Sequence, residues 1–206
     1  MLNLNDVPES QNSNDYGLIP AGTIVRAIIT VKPGDMPIPD YGHGNWFKAS
    51  NTSRAKWMEL EFTIIGGQYD RRKFWDRIFV DGDKIGKSGM PEAKEIGLRT
   101  LRAIIDSANG LHPTDVSPEA QQRRTINGVG DLNGMTICAK IGVKKGTNGY
   151  SDSNRLTAAM TPKDTGYIPR GGGAAVGGVQ AQAPAFNQQP QMPTATSGAV
   201  PAWANR

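Results

Sequence analysis

The chain has 206 residues, 37% of them hydrophobic, with a formal charge of +4 and a pI near 9.2. That is enough chain for one good core and too little for two large domains, and its mild basicity favours an anionic partner while excluding the extreme charge of a ribosomal protein or histone. Cys138 is the single cysteine, which excludes a disulfide framework and a cysteine-based zinc site, and no apolar run approaches the roughly 20 residues of a membrane span.

Residues 1–17 carry Asp6, Glu9 and Asp15 and no basic residue. They read as a short acidic arm, loose or laid over a basic surface, and not as a signal peptide, which together with the lone thiol points to the cytoplasm. Thr23 to Val31, TIVRAIITV, is rich in β-branched residues and reads as a first strand that stops at Lys32-Pro33-Gly34. The polar segment Asp35 to Lys56 follows, with Pro37, Pro39, Gly42 and Gly44 among Tyr41, Trp46, Phe47, Lys48 and Arg54. A structureless loop of that length inside a domain is usually functional or disordered.

The clearest alternation in the chain comes next. Met58, Leu60, Phe62 and Ile64 fall on one face of a second strand, and Trp57, Glu59, Glu61 and Thr63 on the other, before Gly66-Gly67 breaks it. A short turn leads to a third strand, Arg72 to Val80, and so to an antiparallel hairpin. On that strand Lys73, Trp75, Arg77 and Phe79 oppose Phe74, Asp76 and Ile78. Both sets carry aromatic rings, so the pattern does not decide which faces the core.

Pro91-Glu92 opens a helix in which Ala93, Ile96, Gly97, Leu101, Ile104, Ile105 and Ala108 make an apolar stripe ending at Asn109-Gly110. Ser117-Pro118-Glu119 starts a shorter helix to Thr125, with Arg123-Arg124 read as a solvated face. Ile137, Ala139, Ile141 and Val143 alternate along a fourth strand, in which Cys138 reads as a buried thiol. Gly146 and Gly149 supply a reversal, and Asn154 to Met160 returns as a fifth strand. Lys144, Lys145, Tyr150 and Arg155 cluster about that turn, offering charge to phosphates and one ring to a base. Beyond Pro162 the glycine-, glutamine- and proline-rich composition cannot bury enough surface to offset its ordering entropy, so residues 163–206 read as a disordered tail. The domain itself is placed at residues 18–162.

Three antiparallel strands, a helix and two more strands is the order of an OB-fold, a five-stranded barrel with its helix between strands three and four. Its groove is formed by strands two and three and by the loops joining strands one to two and four to five, where this chain places its basic and aromatic insertions. The expected stacking residues are Trp46, Phe47, Trp75 and Tyr150, with Lys48, Arg54, Lys73, Arg77, Lys144, Lys145 and Arg155 on the phosphates. Trp46 and Phe47 pinning the loop down, and Trp75 or Phe79 filling the barrel, are the plainer alternatives.

Glu59-Leu60-Glu61-Phe62 to Gly66-Gly67-Gln68-Tyr69, Arg72-Lys73-Phe74-Trp75, and Leu132-Asn133-Gly134-Met135 through Lys144 to Asn154 resemble a family of bacteriophage single-stranded DNA-binding or recombination-associated proteins. The resemblance spans roughly residues 21–162. It implies an OB-type protein that coats single strands during phage replication or recombination in the cytoplasm of a bacterial host. The tail also resembles those of bacterial single-strand binding proteins, but ends in Pro201-Ala202-Trp203-Ala204-Asn205-Arg206 where an acidic, apolar tip is expected.

The expected partners are single-stranded DNA and, through the tail, replication or recombination proteins, with self-association open. No cofactor signature is present: there is no P-loop, no GxGxxG and no GxSxG, and His43 and His112 lack metal-site spacing. A nuclease using Glu59/Glu61 and Asp81-Gly82-Asp83 as magnesium ligands, and a phage structural or adaptor protein in which the basic loops are incidental, are the competing readings.

Overall fold

A computed structural model describes residues 17–147 and 149–170. It is mainly β, with six antiparallel strands in one sheet and two helices. The strands are β1 (Ile24–Val31), β2 (Phe47–Ala49), β3 (Lys56–Ile65), β4 (Lys73–Asp81), β5 (Thr136–Lys144) and β6 (Ser153–Met160). The helices, α1 (Glu92–Asn109) and α2 (Pro118–Arg124), lie between β4 and β5.

The alternation in sequence becomes alternation in burial. Val25, Ala27, Ile29 and Val31 of β1 meet Met58, Leu60, Phe62 and Ile64 of β3 in a single core, where each fully buried aliphatic or aromatic side chain contributes about 1.5–3 kcal/mol. On β4 it is Phe74, Ile78 and Val80 that turn inward, Phe74 stacking on Phe62 at 4.8 Å between ring centroids. Trp75 and Phe79 therefore face outward and fill no barrel.

β3 is the centre of the sheet. It carries β4 along one edge, and on the other edge β1 pairs with its second half while β2 pairs with Lys56–Met58. From β1 the sheet continues through β5 to β6. The strand order β4-β3-β1-β5-β6 leaves β4 and β6 as the two edges, and among the described residues no backbone ladder joins them. The expected closed barrel is thus an open sheet. In place of a ladder, the Leu156 amide donates to Asp76 Oδ2 at 3.0 Å.

Helix α1 lies over β4, β5 and β6. It can approach β4 closely only because residue 97 is glycine: a Cβ there would stand 1.9 Å from the Phe79 carbonyl oxygen. Leu101, Ile104, Ile105 and Ala108 bury the expected stripe, but Ile96 is 56% exposed and leaves it. The helix stops where Gly110 takes φ 65°, the left-handed turn that glycine adopts without strain. Helix α2 is capped by Ser117 Oγ, which accepts the Ala120 amide. Arg124 is not on a solvated face. Its Nε donates to Asp106 Oδ1 at 2.6 Å, and its guanidinium also reaches the carbonyls of His112 and Asp115.

The packed chain runs past Pro162. Thr161 donates to Asp164, Tyr167 Oη donates to the Ser107 carbonyl at 3.2 Å, and the Ile168 amide donates to Cys138 Sγ at 3.3 Å. Composition, which puts the expected boundary at residue 162, does not register these single contacts. The acidic arm to residue 16 and the remainder of the tail, residues 171–206, lie outside the described residues.

Candidate nucleic-acid interface

The outward face of the β3–β4 hairpin is built from two interleaved rows. Antiparallel register places Trp57 opposite Phe79, Glu59 opposite Arg77, Glu61 opposite Trp75 and Thr63 opposite Lys73. Because side chains alternate along a strand, all of these emerge on one side.

Each glutamate gathers two cations and one indole N–H. Glu61 accepts Lys73 at 2.7 Å and Trp75 Nε1 at 3.1 Å, with Lys32 at 3.5 Å. Glu59 accepts Lys48 at 2.8 Å, Arg77 at 3.0 Å and Trp57 Nε1 at 3.4 Å. The hydrogen bond from Lys73 holds the Glu61 carboxyl below its ordinary range, and that from Lys48 does the same for Glu59, in each case against a smaller opposing effect of burial. Both are therefore anionic at neutral pH. Arg77 also lies over the Trp57 ring, 5.2 Å from its centroid, and Trp57 packs on Phe79 at 5.9 Å. Trp75 is the more open of the two exposed rings on this face, at 54% against 39% for Phe79.

The gap between the edge strands is a cleft of about 990 Å³. Trp75, Arg77 and Phe79 line its β4 side, Ile96, Arg99 and Thr100 its α1 side, and Lys144, Arg155 and Thr157 its far wall. Among the described residues neither Lys144 nor Arg155 forms a salt bridge, and both lie within electrostatic reach of Asp76. Asp76 spans the cleft floor, with Oδ1 accepting the Arg77 amide and Oδ2 the Leu156 amide. Burial pushes its carboxyl above the usual aspartate value, although those two amides and the nearby Arg155 and Lys144 pull the other way.

Of the sequence-predicted residues, the cleft gathers Trp75, Arg77, Lys144 and Arg155. Lys48 and Lys73 join Trp75 and Arg77 on the outer face through the glutamates. The others are placed elsewhere. Phe47 is a core residue at 0% exposure, its ring 5.2 Å from that of Tyr41, and is closed to a base. Trp46 is half-buried against the core with its indole N–H on the His43 carbonyl, so both rings pin the long loop down. Arg54 sits on the turn before β3, where its amide donates to Asp83. Lys145 is tied to Asp152 at 2.7 Å across the hairpin tip, and Tyr150 stands there 81% exposed, outside the cleft lining.

The expected site does not include Phe79, Arg99, Asp76 or Trp57, and Glu59 and Glu61 enter it only as magnesium ligands of the alternative nuclease. The signal was the pairing of Trp57-x-Glu59-x-Glu61 with Lys73-x-Trp75-x-Arg77, which becomes a pattern only once the register is known. The acidic residues proposed for a magnesium site are engaged by cations or amides: Asp81 by Lys56 and the Gly82 amide, Asp83 by the Arg54 amide. Among the described residues no group of three or more His, Cys, Asp and Glu is arranged to hold a metal ion, and no helix is long and apolar enough to cross a membrane. Comparison of the chain with protein-family models and with curated protein sequences finds no match.

Proposed function

We propose that this protein binds single-stranded DNA without chemistry, as an OB-type module acting in phage replication or recombination. The observation that carries the reading is that the open Trp75 ring lines a cleft whose far wall holds Lys144 and Arg155, free of salt bridges among the described residues. A base stacked on an aromatic face contributes about 1–3 kcal/mol whatever its identity, and a cation beside it neutralises the adjoining phosphate. The strand order β4-β3-β1-β5-β6, with α1 between β4 and β5, supports the OB assignment, since it is the OB order with the last seam left to the Asp76–Leu156 bond.

In this reading bases lie over Trp75 while the sugar-phosphate chain follows Lys144 and Arg155 across the cleft. The test is a fluorescence titration of the full chain with a labelled oligonucleotide, run beside a duplex of equal length. Binding is expected to favour the single strand and to weaken with salt by about 0.7 on a log–log slope for each neutralised phosphate. Equal affinity for both forms at every salt concentration defeats the reading, as does no binding to either.

A further inference from the structure

We infer that Glu59 and Glu61 set the strand selectivity of this surface, by withholding its cations from duplex phosphates while holding the Trp75 indole ready for bases. The inference rests on the single-strand reading above and concerns the same face. Four cations, Lys32, Lys48, Lys73 and Arg77, converge on it, and every one is within 3.5 Å of one of the two carboxylates. A duplex binds a basic surface chiefly through its phosphates, whose bases are stacked inside and offer no face to an indole. To use these cations, a duplex phosphate must displace a carboxylate from each and then sit beside it. A single strand escapes that cost because its bases can reach Trp75 directly, leaving its phosphates to Lys144 and Arg155 across the cleft.

The second half of the device is positional. Each glutamate accepts an indole N–H, 3.1 Å from Trp75 and 3.4 Å from Trp57, which fixes the ring edge and reduces the rotamer freedom lost on stacking. Glutamine at either position keeps one carbonyl oxygen to accept the indole N–H, while its other oxygen and its charge give way to an NH2 group that cannot accept from a lysine. The charge and the positioning are therefore separable.

The experiment compares Glu59→Gln/Glu61→Gln, each single variant, and a control that removes two negative charges from other exposed sites, Asp35→Asn/Glu119→Gln. Each is titrated in the full chain with the same oligonucleotide as a single strand and as a duplex, across salt concentrations, with thermal melting to confirm folding. The double variant is expected to bind duplex at least tenfold more tightly at low salt, with the duplex slope steeper by about 1.8, two added phosphates at about 0.9 each. Its preference for single strands should fall accordingly, each single variant should show part of the effect, and the control should show little. An unchanged ratio of single-strand to duplex affinity in the variants overturns the inference. So does an equal fall in the control, which assigns the effect to net charge. Wild-type protein that binds neither form instead overturns the single-strand reading on which the inference stands.

Discussion

Asp76 of β4 and Leu156 of β6 hold the two edges of the sheet together through one hydrogen bond, carboxylate to amide, at 3.0 Å. Two edge strands that face each other without a ladder leave unpaired backbone groups, and a side chain supplying an acceptor answers only one of them. That bond joins the two walls of the cleft beside α1, which packs on both strands.

Asp76→Ala leaves the buried Leu156 amide without its acceptor. The expected cost is about 1–3 kcal/mol of stability, the penalty for an unsatisfied buried donor. Denaturant unfolding measures it, and amide exchange should show Leu156 losing protection. Undiminished protection at Leu156 would show that the bond holds nothing.

Lys144→Ala with Arg155→Ala removes the cations of the far wall. Single-strand affinity should fall and its salt slope become shallower by about 1.4, two phosphates at about 0.7 each. The melting temperature should scarcely move, since exposed charges contribute little to folding.

Trp75→Ala and Phe47→Ala separate two rings with the same sequence credentials. The first should reduce single-strand binding by about 1–3 kcal/mol with small effect on stability. The second should cost about 3–5 kcal/mol of stability, because it empties a core site at 0% exposure. Titration and unfolding of both variants would exchange their outcomes if Phe47 were the stacking ring.

Low pH should loosen the outer face. Glu59 and Glu61 have carboxyls depressed by Lys48 and Lys73, so the unfolded chain binds more protons and their stabilisation is present above the ordinary glutamate value of 4.5. It is lost as pH falls below that value and through the depressed folded values. Melting followed from neutral to acid pH should show a smaller fall in Glu59→Gln/Glu61→Gln than in wild type; parallel curves would mean that the two carboxyls are not stabilising.

Truncation after Lys163 should lower the melting temperature, and truncation after Arg170 should not, because Asp164, Tyr167 and Ile168 make the contacts that close the chain over α1 and β5. Equal melting of the two shortened proteins would make those contacts incidental.

What sequence made visible was periodic. Four inward residues on β3 and the stripe on α1 repeat often enough for spacing alone to separate inside from outside, and Ser117 caps α2 through a contact three residues away. Three residues do not make a period, so β2 was hidden and Phe47 looked like an exposed ring in a polar loop. Arg124 was hidden for a different reason: its partner Asp106 lies 18 residues earlier, beyond the reach of local pattern. The role of Asp76 has no local signature, because its partner on β6 is supplied by chain 80 residues away. Open versus closed topology rests on such distant encounters.

Cys138 gives the fold a chemical witness of its own integrity. The thiol is 1% exposed, burial pushes its ionisation upward, and its sulfur receives the Ile168 amide from the segment that follows the last strand. A thiol in that setting reacts slowly with alkylating or disulfide reagents, since the thiolate is the nucleophile. The rate at which this one sulfur is modified in the intact chain therefore clocks how often the strap over β5 lifts, with no label introduced and no second cysteine to confuse the signal.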